Sequence, residues 1–341
     1  MSTPTMPNCL QRAHVPCGSA LSKRDIQPYN TSALRFSSPK SVSRQGRCAC
    51  NLNRTPAVRS RPGCQQRALL CKPVCAVAQT AIDINTYVQE SRNKRLELLE
   101  RQALETLKIC VENSEHPVFP CALIAGDVVI LELLSKLDYL KTGRVSVAFV
   151  DTFHLFPETI TFLQQLEDKH GFKAKEFHAA DSTDVKDFRA KHGRDLYMTD
   201  IDEYDRICKV EPFNRALKTL QCDVMINGRR RDHGFERAQL EVVEEGSPIK
   251  CNPLAWWEFK DCWDYIHKHG LQYHPLHDED FPSIGDLHST VPVPREKWFE
   301  YAGERSGRFQ GLTNKDGSVK TECGIHVAGD DEESGMSNIR K

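Results

Sequence analysis

Between residues 119 and 268, short apolar runs alternate with amphipathic stretches, and that alternation limits the chain to few folds. Residues 144–150, 173–178, 223–227 and 249–254 read as strands, and another opens at Phe119. Between and after them, helical patterns cover 157–171, with Pro157 in its first turn, 184–192, a segment ending at Leu220, and 256–268. A longer amphipathic helix is expected over 83–113, where Leu96, Leu98, Leu99, Leu104, Leu107 and Ile109 recur at helical spacing. Strands that alternate with helices predict an α/β fold: a mainly parallel, twisted sheet covered by helices on both faces. Such sheets take ligands at the carboxyl ends of their strands, where Asp151 and Gly228 fall. The strand at Phe119 is expected to turn at Gly126 into a helix capped by Asp127. The free N–H groups of that helix start suit an anion, although an ordinary strand-to-helix connection has the same pattern. From His274 onward, Pro275, Pro282, Pro292 and Pro294 mark a loop-rich region.

Charge is unevenly spread. Residues 1–75 hold twelve Lys or Arg and one acid, Asp25, so the rest of the chain carries about −12. A basic, Ser-rich, acid-poor leader without an apolar core reads as an organelle transit peptide, with cleavage expected near Cys75-Ala76-Val77. A disordered tail or a basic nucleic-acid-binding arm are the alternatives. No apolar run approaches the roughly 18 residues of a membrane span. Seven of the fourteen cysteines fall in the leader, and the other seven form no C-x-x-C pair. Neither a disulfide framework nor a zinc site is indicated, and most of the later cysteines read as small buried residues.

Arg229, Arg230, Arg231, Arg237, Arg305 and Arg308 stand out in this acidic domain, three of them in a row after a strand. Guanidinium groups bind phosphate and sulfate oxyanions as a bidentate fork. Nucleic acid fits poorly with the domain's acidity. Without G-x-G-x-x-G or G-x4-G-K-[ST], a nicotinamide cofactor and a P-loop are disfavoured. The histidines show no ligand spacing, and Trp256-Trp257 reads as helix packing. Near the end, Lys320-Thr-Glu-Cys-Gly-Ile-His combines a thiol, a glycine and a histidine. A thiolate is a strong nucleophile, and a mobile segment carrying one is able to act on a bound molecule and then meet a second protein.

Six motifs occur in order: Asp151-Thr-Phe-His-Leu-Phe-Pro-Glu-Thr, Lys209-Val-Glu-Pro-Phe-Asn-Arg-Ala-Leu, Gly228-Arg-Arg-Arg-Asp, Tyr273-His-Pro-Leu, Ser283-Ile-Gly-Asp and Glu322-Cys-Gly-Ile-His. With them, from about Cys121 to His326, the chain resembles the adenylyl-sulfate and phosphoadenylyl-sulfate reductases of sulfate assimilation. The resemblance implies an adenine nucleotide alpha-hydrolase-like fold for residues 82–328, with a mobile C-terminal segment, behind a plastid transit peptide at 1–76. Residues 329–341 read as a disordered tail. It implies that Cys323 attacks the sulfur of the activated sulfate, expels the nucleotide and becomes an S-sulfocysteine. Thioredoxin, glutaredoxin or glutathione then attacks the thiosulfonate and releases sulfite. Carried over by motif, Lys209, Arg230, Arg231, Arg237, Arg305, Arg308 and His326 would hold the sulfate and phosphate, and Asp151 and Thr152 would lie near the nucleotide. A homodimer is implied as well.

Two departures stand out. Cluster-bearing relatives hold a [4Fe–4S] centre on a Cys-Cys and a Cys-x-x-Cys pair. Here Tyr204-Asp205 stand at the first pair and Asp286 and Ser289 at the second, with Cys208 outside both, so no cluster is expected. The early loop, Ala122-Leu-Ile-Ala-Gly-Asp-Val, lacks the serine common in the family's nucleotide loop. A plastid leader on a cluster-free chain resembles the B-type adenylyl-sulfate reductases of mosses. Adenylyl sulfate is therefore the expected substrate, reduced in the chloroplast stroma for cysteine biosynthesis; phosphoadenylyl sulfate is the alternative. A nucleotide-binding redox sensor without turnover and a related synthetase are readings from other classes.

Overall fold

The computed structural model describes residues 83–314, 317–320, 322 and 325. The proposed leader and tail lie outside these residues, as do Cys323 and His326. The first element, α1 (Ile84–Glu112), begins where Asp83 accepts the Thr86 N–H at 3.1 Å. Leu96, Leu99 and Leu107 bury one stripe of it, whereas Leu98 and Ile109 are 57% and 55% exposed. Two residues along a helix point to nearly opposite sides, so the six leucine and isoleucine positions do not form one face.

Then follow β1 (Pro117–Pro120), α2 (Ala125–Lys136), β2 (Ser146–Val150), α3 (Pro157–His170), β3 (Lys175–Phe177) and α4 (Val185–His192). A short α5 (Leu196–Thr199) precedes α6 (Ile201–Asp205), which passes through a π turn at Arg206–Val210 into α7 (Glu211–Thr219). The chain continues through β4 (Val224–Ile226), β5 (Val243–Glu244), β6 (Ile249–Cys251) and α8 (Phe259–His269). Among the described residues the strands make one sheet in the order β3-β2-β1-β4-β6-β5. All neighbours are parallel except the edge pair β5–β6.

Strand side chains alternate between the faces. Phe119, Val147, Phe149, Val224 and Ile226 join the large core with residues of α1, α2, α3 and α8. Val118, Ala148 and Phe177 join Ala216 of α7 on the other side. Helices thus cover both faces, as the alternation predicts. From β1 the chain winds out through β2 and β3, then returns to lay β4 on β1's other side. The β1–β4 boundary is the switch point, where the connecting loops diverge and leave a crevice.

At that crevice the sequence expectation needs correction. The turn falls before Gly126: Leu123, fully buried, takes φ +63°, and α2 starts at Ala125 with Ile124 as its cap. Asp127 lies inside the first turn, and its carboxylate accepts the Ala122 N–H at 2.7 Å, tying back the loop that precedes the helix. Likewise α8 starts three residues later than read, behind a capping box of Glu258 and Asp261. No helix among the described residues is long and apolar enough to cross a membrane. We expect Leu107→Ala to cost about 2–5 kcal/mol and Ile109→Ala under about 0.5 kcal/mol in urea denaturation, because one leaves a cavity and the other does not.

Candidate active site

The loop after β2 is folded by its own aspartate. The Asp151 carboxylate accepts the Phe153 N–H at 2.8 Å, and Phe153 takes φ +64°. This directs the Thr152 hydroxyl inward, where it donates to Asp286 Oδ1 at 2.5 Å. Asp286 is 2% exposed, on a loop far along the chain. Lys209, in the π turn, places its ammonium 2.8 Å from both Asp286 and Asp205. Lys320 reaches Asp205 at 2.9 Å from the segment that leads to Cys323. Among the described residues two buried carboxylates and two buried ammoniums are thus paired, with Asp202 a further 3.4 Å partner of Lys320 at the margin. Burial alone would raise the Asp286 pKa; the Lys209 ammonium outweighs it and holds the group at about 2.

A second network lies below the loop after β4. Arg230 is fully buried; its Nε donates to Asp232 at 3.0 Å and its Nη2 to Glu304. Its Nη1 has no hydrogen-bond partner among the described residues and packs on the first turn of α2, 3.2 Å from where a Gly126 side chain would begin. His233 stands between Glu304 (Nε2, 2.9 Å) and Arg237 (Nδ1, 3.0 Å). Burial and the Arg230 charge push its pKa down to about 4, so it is neutral near pH 7. It then donates from Nε2 and accepts from Arg237 at Nδ1. Burial opposes the charge on Glu304, but Arg230 and His233 hold its pKa well below the ordinary carboxylate range.

Arg237 is not spent on this network. Its Nη2 donates to Glu322 Oε2 at 3.0 Å, and Arg305 Nη2 donates to the same oxygen at 2.8 Å. Two guanidiniums from separate segments therefore meet on the residue before Cys323. Arg308 donates to Ser283 Oγ (3.2 Å) and to the Ile284 carbonyl (3.3 Å). It fits because residue 285 is glycine: a Cβ there would lie 2.2 Å from Arg308 Nη2.

Asp151, Thr152, Lys209, Arg230, Arg237, Arg305 and Arg308 are thus found on the loops and turns around the carboxyl ends of the strands. Arg231 is not drawn into either network. Its Nε donates to the Leu240 carbonyl at 2.8 Å and its guanidinium stacks on Trp256 at 3.7 Å; Arg230 is extended, and successive side chains about an extended residue point opposite ways. Trp256 is correspondingly half exposed rather than packed in a helix. Lys209, expected to hold the substrate anion, is engaged by two carboxylates. Sequence reasoning missed His233, Glu304, Glu322 and Lys320 as functional groups. The available signal was that Glu304 and Glu322 each adjoin a residue already singled out, Arg305 and Cys323.

The iron–sulfur question can be tested on the residues. Tyr204, Asp205, Asp286 and Ser289 do come together, all at most 2% exposed. They offer oxygen donors, not thiolates, and Lys209 occupies the space between the two carboxylates. Cys208 is fully buried and its thiol pKa is pushed up by burial and by Asp286. This donor set does not fit a [4Fe–4S] cluster.

The family model for the phosphoadenosine phosphosulfate reductase domain matches residues 116–292. The chain is 35% identical over 237 residues to the phosphoadenosine phosphosulfate reductase of Emericella nidulans, spanning 69% of this chain and 73% of that one. It is 37% identical over 209 residues to the Saccharomyces cerevisiae protein of that name, spanning 59% and 75%. A crystal structure of phosphoadenylyl-sulfate reductase from Candida auris, in complex with phosphate, superposes with a TM-score of 0.50 at 30% identity, covering 58% of this chain and 97% of that chain.

The Asp286 pairing carries a pH signature. A carboxyl held at about 2 contributes stability above its unfolded pKa near 4, and that contribution is lost as pH falls toward 2. Asp286→Ala, which leaves two buried ammoniums facing Asp205, is expected to cost about 3–5 kcal/mol at pH 7. In melts from pH 7 to 2.5 the gap between variant and wild type should hold down to about pH 4 and then shrink. A gap that does not change with pH would contradict the assignment.

Proposed function

The chain belongs to the phosphoadenosine phosphosulfate reductase family, and on that premise we propose that it reduces a sulfated adenine nucleotide to sulfite through Cys323. It is an oxidoreductase acting on sulfur, with the α/β fold of that family, a sulfated nucleotide as substrate and a thiol as reductant. The observation that carries the proposal at residue level is the meeting of Arg237 and Arg305 on Glu322, which adjoins Cys323.

In the proposed reaction Cys323, as the thiolate, attacks the sulfate sulfur. A sulfur–sulfur bond forms, the bond from that sulfur to the phosphate oxygen breaks, and the nucleotide leaves with the electron pair. Arg237, Arg305 and Arg308 stabilise the charge that develops on the leaving phosphate. A thiolate of the reductant then attacks Cys323 Sγ, sulfite departs with the electron pair of the sulfur–sulfur bond, and a mixed disulfide remains. The reductant's second thiol closes its own disulfide and frees Cys323. No step passes through a metal. The buried network of Asp205, Lys209, Asp286 and Lys320 instead ties the π turn, the 283–290 loop and the Cys323 segment together.

We propose adenylyl sulfate as the substrate and the plastid stroma as the site, supported by the basic, Ser-rich leader. The relatives from Emericella nidulans and Saccharomyces cerevisiae, named phosphoadenosine phosphosulfate reductases, favour phosphoadenylyl sulfate, which is the second reading. Sulfite release from each nucleotide, with thioredoxin and a dithiol, separates the two by relative kcat/KM. Cys323→Ser should abolish release from both; persistent turnover in that variant would remove Cys323 from the mechanism. Gly285→Ala should push Arg308 aside and raise KM about tenfold or more, the cost of one charged hydrogen bond, with little change in melting temperature. An unchanged KM would take Arg308 out of the substrate site.

A further inference from the structure

The arginine network contains one carboxylate unlike the others. Three guanidiniums, Arg230, Arg237 and Arg305, are paired with three carboxylates, Asp232, Glu304 and Glu322. Glu304 is built into the fold: its side chain is 4% exposed and is held by Arg230 and His233. Asp232 is built in as well, accepting from Arg230 and from the Phe259 N–H at the start of α8. Glu322 is the most exposed of the three at 27%, lies outside the helices and the sheet, and meets the arginines through one oxygen. Its position, one anionic oxygen shared by two guanidinium N–H donors, is the arrangement in which arginines receive a sulfate or phosphate oxygen.

Resting on the reading of Arg237 and Arg305 as part of the substrate's anion site, we infer that the Glu322 carboxylate is an exchangeable internal anion. It neutralises the two arginines in the substrate-free protein and yields them to an oxyanion of the sulfonucleotide. Charge balance drives the exchange. With Glu322 in place, Arg230, Arg237 and Arg305 face, among the described residues, an equal number of carboxylates in Asp232, Glu304 and Glu322. An incoming oxyanion that displaced nothing would lie beside the Glu322 carboxylate at the same two donors, in a partly buried site where like charges repel strongly. An oxyanion that takes the place of Glu322 preserves the balance, and the released carboxylate is already close to water. Part of the intrinsic affinity of the arginines for anions is thereby held in check until a ligand with further contacts arrives.

The test is isothermal titration of the full chain with AMP and, separately, with inorganic sulfate at fixed ionic strength. The proteins are wild type, Glu322→Gln, Glu322→Ala, and each of these with Arg305→Ala. Removing the internal competitor should tighten binding of both probes by about tenfold, the scale of one charge-assisted hydrogen bond, in Gln and Ala variants alike. Arg305→Ala should weaken binding in every background. Binding that is unchanged or weaker without the Glu322 carboxylate, while Arg305→Ala still weakens it, would overturn the exchange and leave the anion site standing. Binding indifferent to Arg305→Ala in all backgrounds would overturn the anion-site reading, and this inference with it.

Discussion

Asp286 and Glu304 are carboxylates taken out of water, and each is tolerable because cations from distant parts of the chain reach it. Desolvating an unpaired carboxylate costs several kcal/mol, so neither loop can take its place until its partner has arrived. Lys209 and Thr152 bring the π turn and the end of β2 to Asp286; Arg230 and His233 bring the segment after β4 to Glu304. The two carboxylates thereby pin the loop-rich region that follows α8 onto the carboxyl edge of the sheet. That region has little regular structure of its own, and its loops depend on these pairs for their placement.

The same demand organises the backbone. Leu123, Phe153 and Phe309 all adopt the left-handed region, which non-glycine residues rarely enter. Each adjoins a group whose position matters: the loop held by Asp127, the Thr152 hydroxyl and Arg308. Strain of this kind persists where surrounding contacts over-determine the conformation. Burial also raises the Asp127 pKa to about 7, despite the hydrogen bond from Ala122. The β1 turn is therefore held by a carboxyl whose burial disfavours its charged form.

Around this edge the arginines divide into two kinds. Arg230 is fully enclosed and serves the fold, whereas Arg237 and Arg305 share a partly exposed partner, Glu322, on the segment that leads to Cys323. A chain that is acidic beyond residue 75 thus presents converging guanidiniums at the site proposed for the charge of a sulfated nucleotide. At the four positions where the sequence resemblance would put a cluster stand Tyr204, Asp205, Asp286 and Ser289, and the two aspartates among them are paired with Lys209 and Lys320. Ion pairs of this kind hold segments together without thiolates, at the cost of sensitivity to low pH.

Much of the fold was legible in the sequence because helix and strand periodicities are local. The boundaries of α1 and α3, the short helix that opens at Asp184 and the alternation that makes a parallel sheet all follow from residues close together in the chain. The motifs around Asp151, Lys209, Gly228 and Ser283 likewise announced which segments form the site. What the sequence by itself could not determine was pairing. That Lys209 turns to Asp205 and Asp286, that Arg231 stacks outward on Trp256 while Arg230 points inward, and that Glu322 joins Arg237 to Arg305 are contacts between residues up to 85 positions apart. Such contacts are decided by burial and charge balance in three dimensions. A buried ion takes whichever partner the packed elements deliver, and that is settled by the tertiary structure.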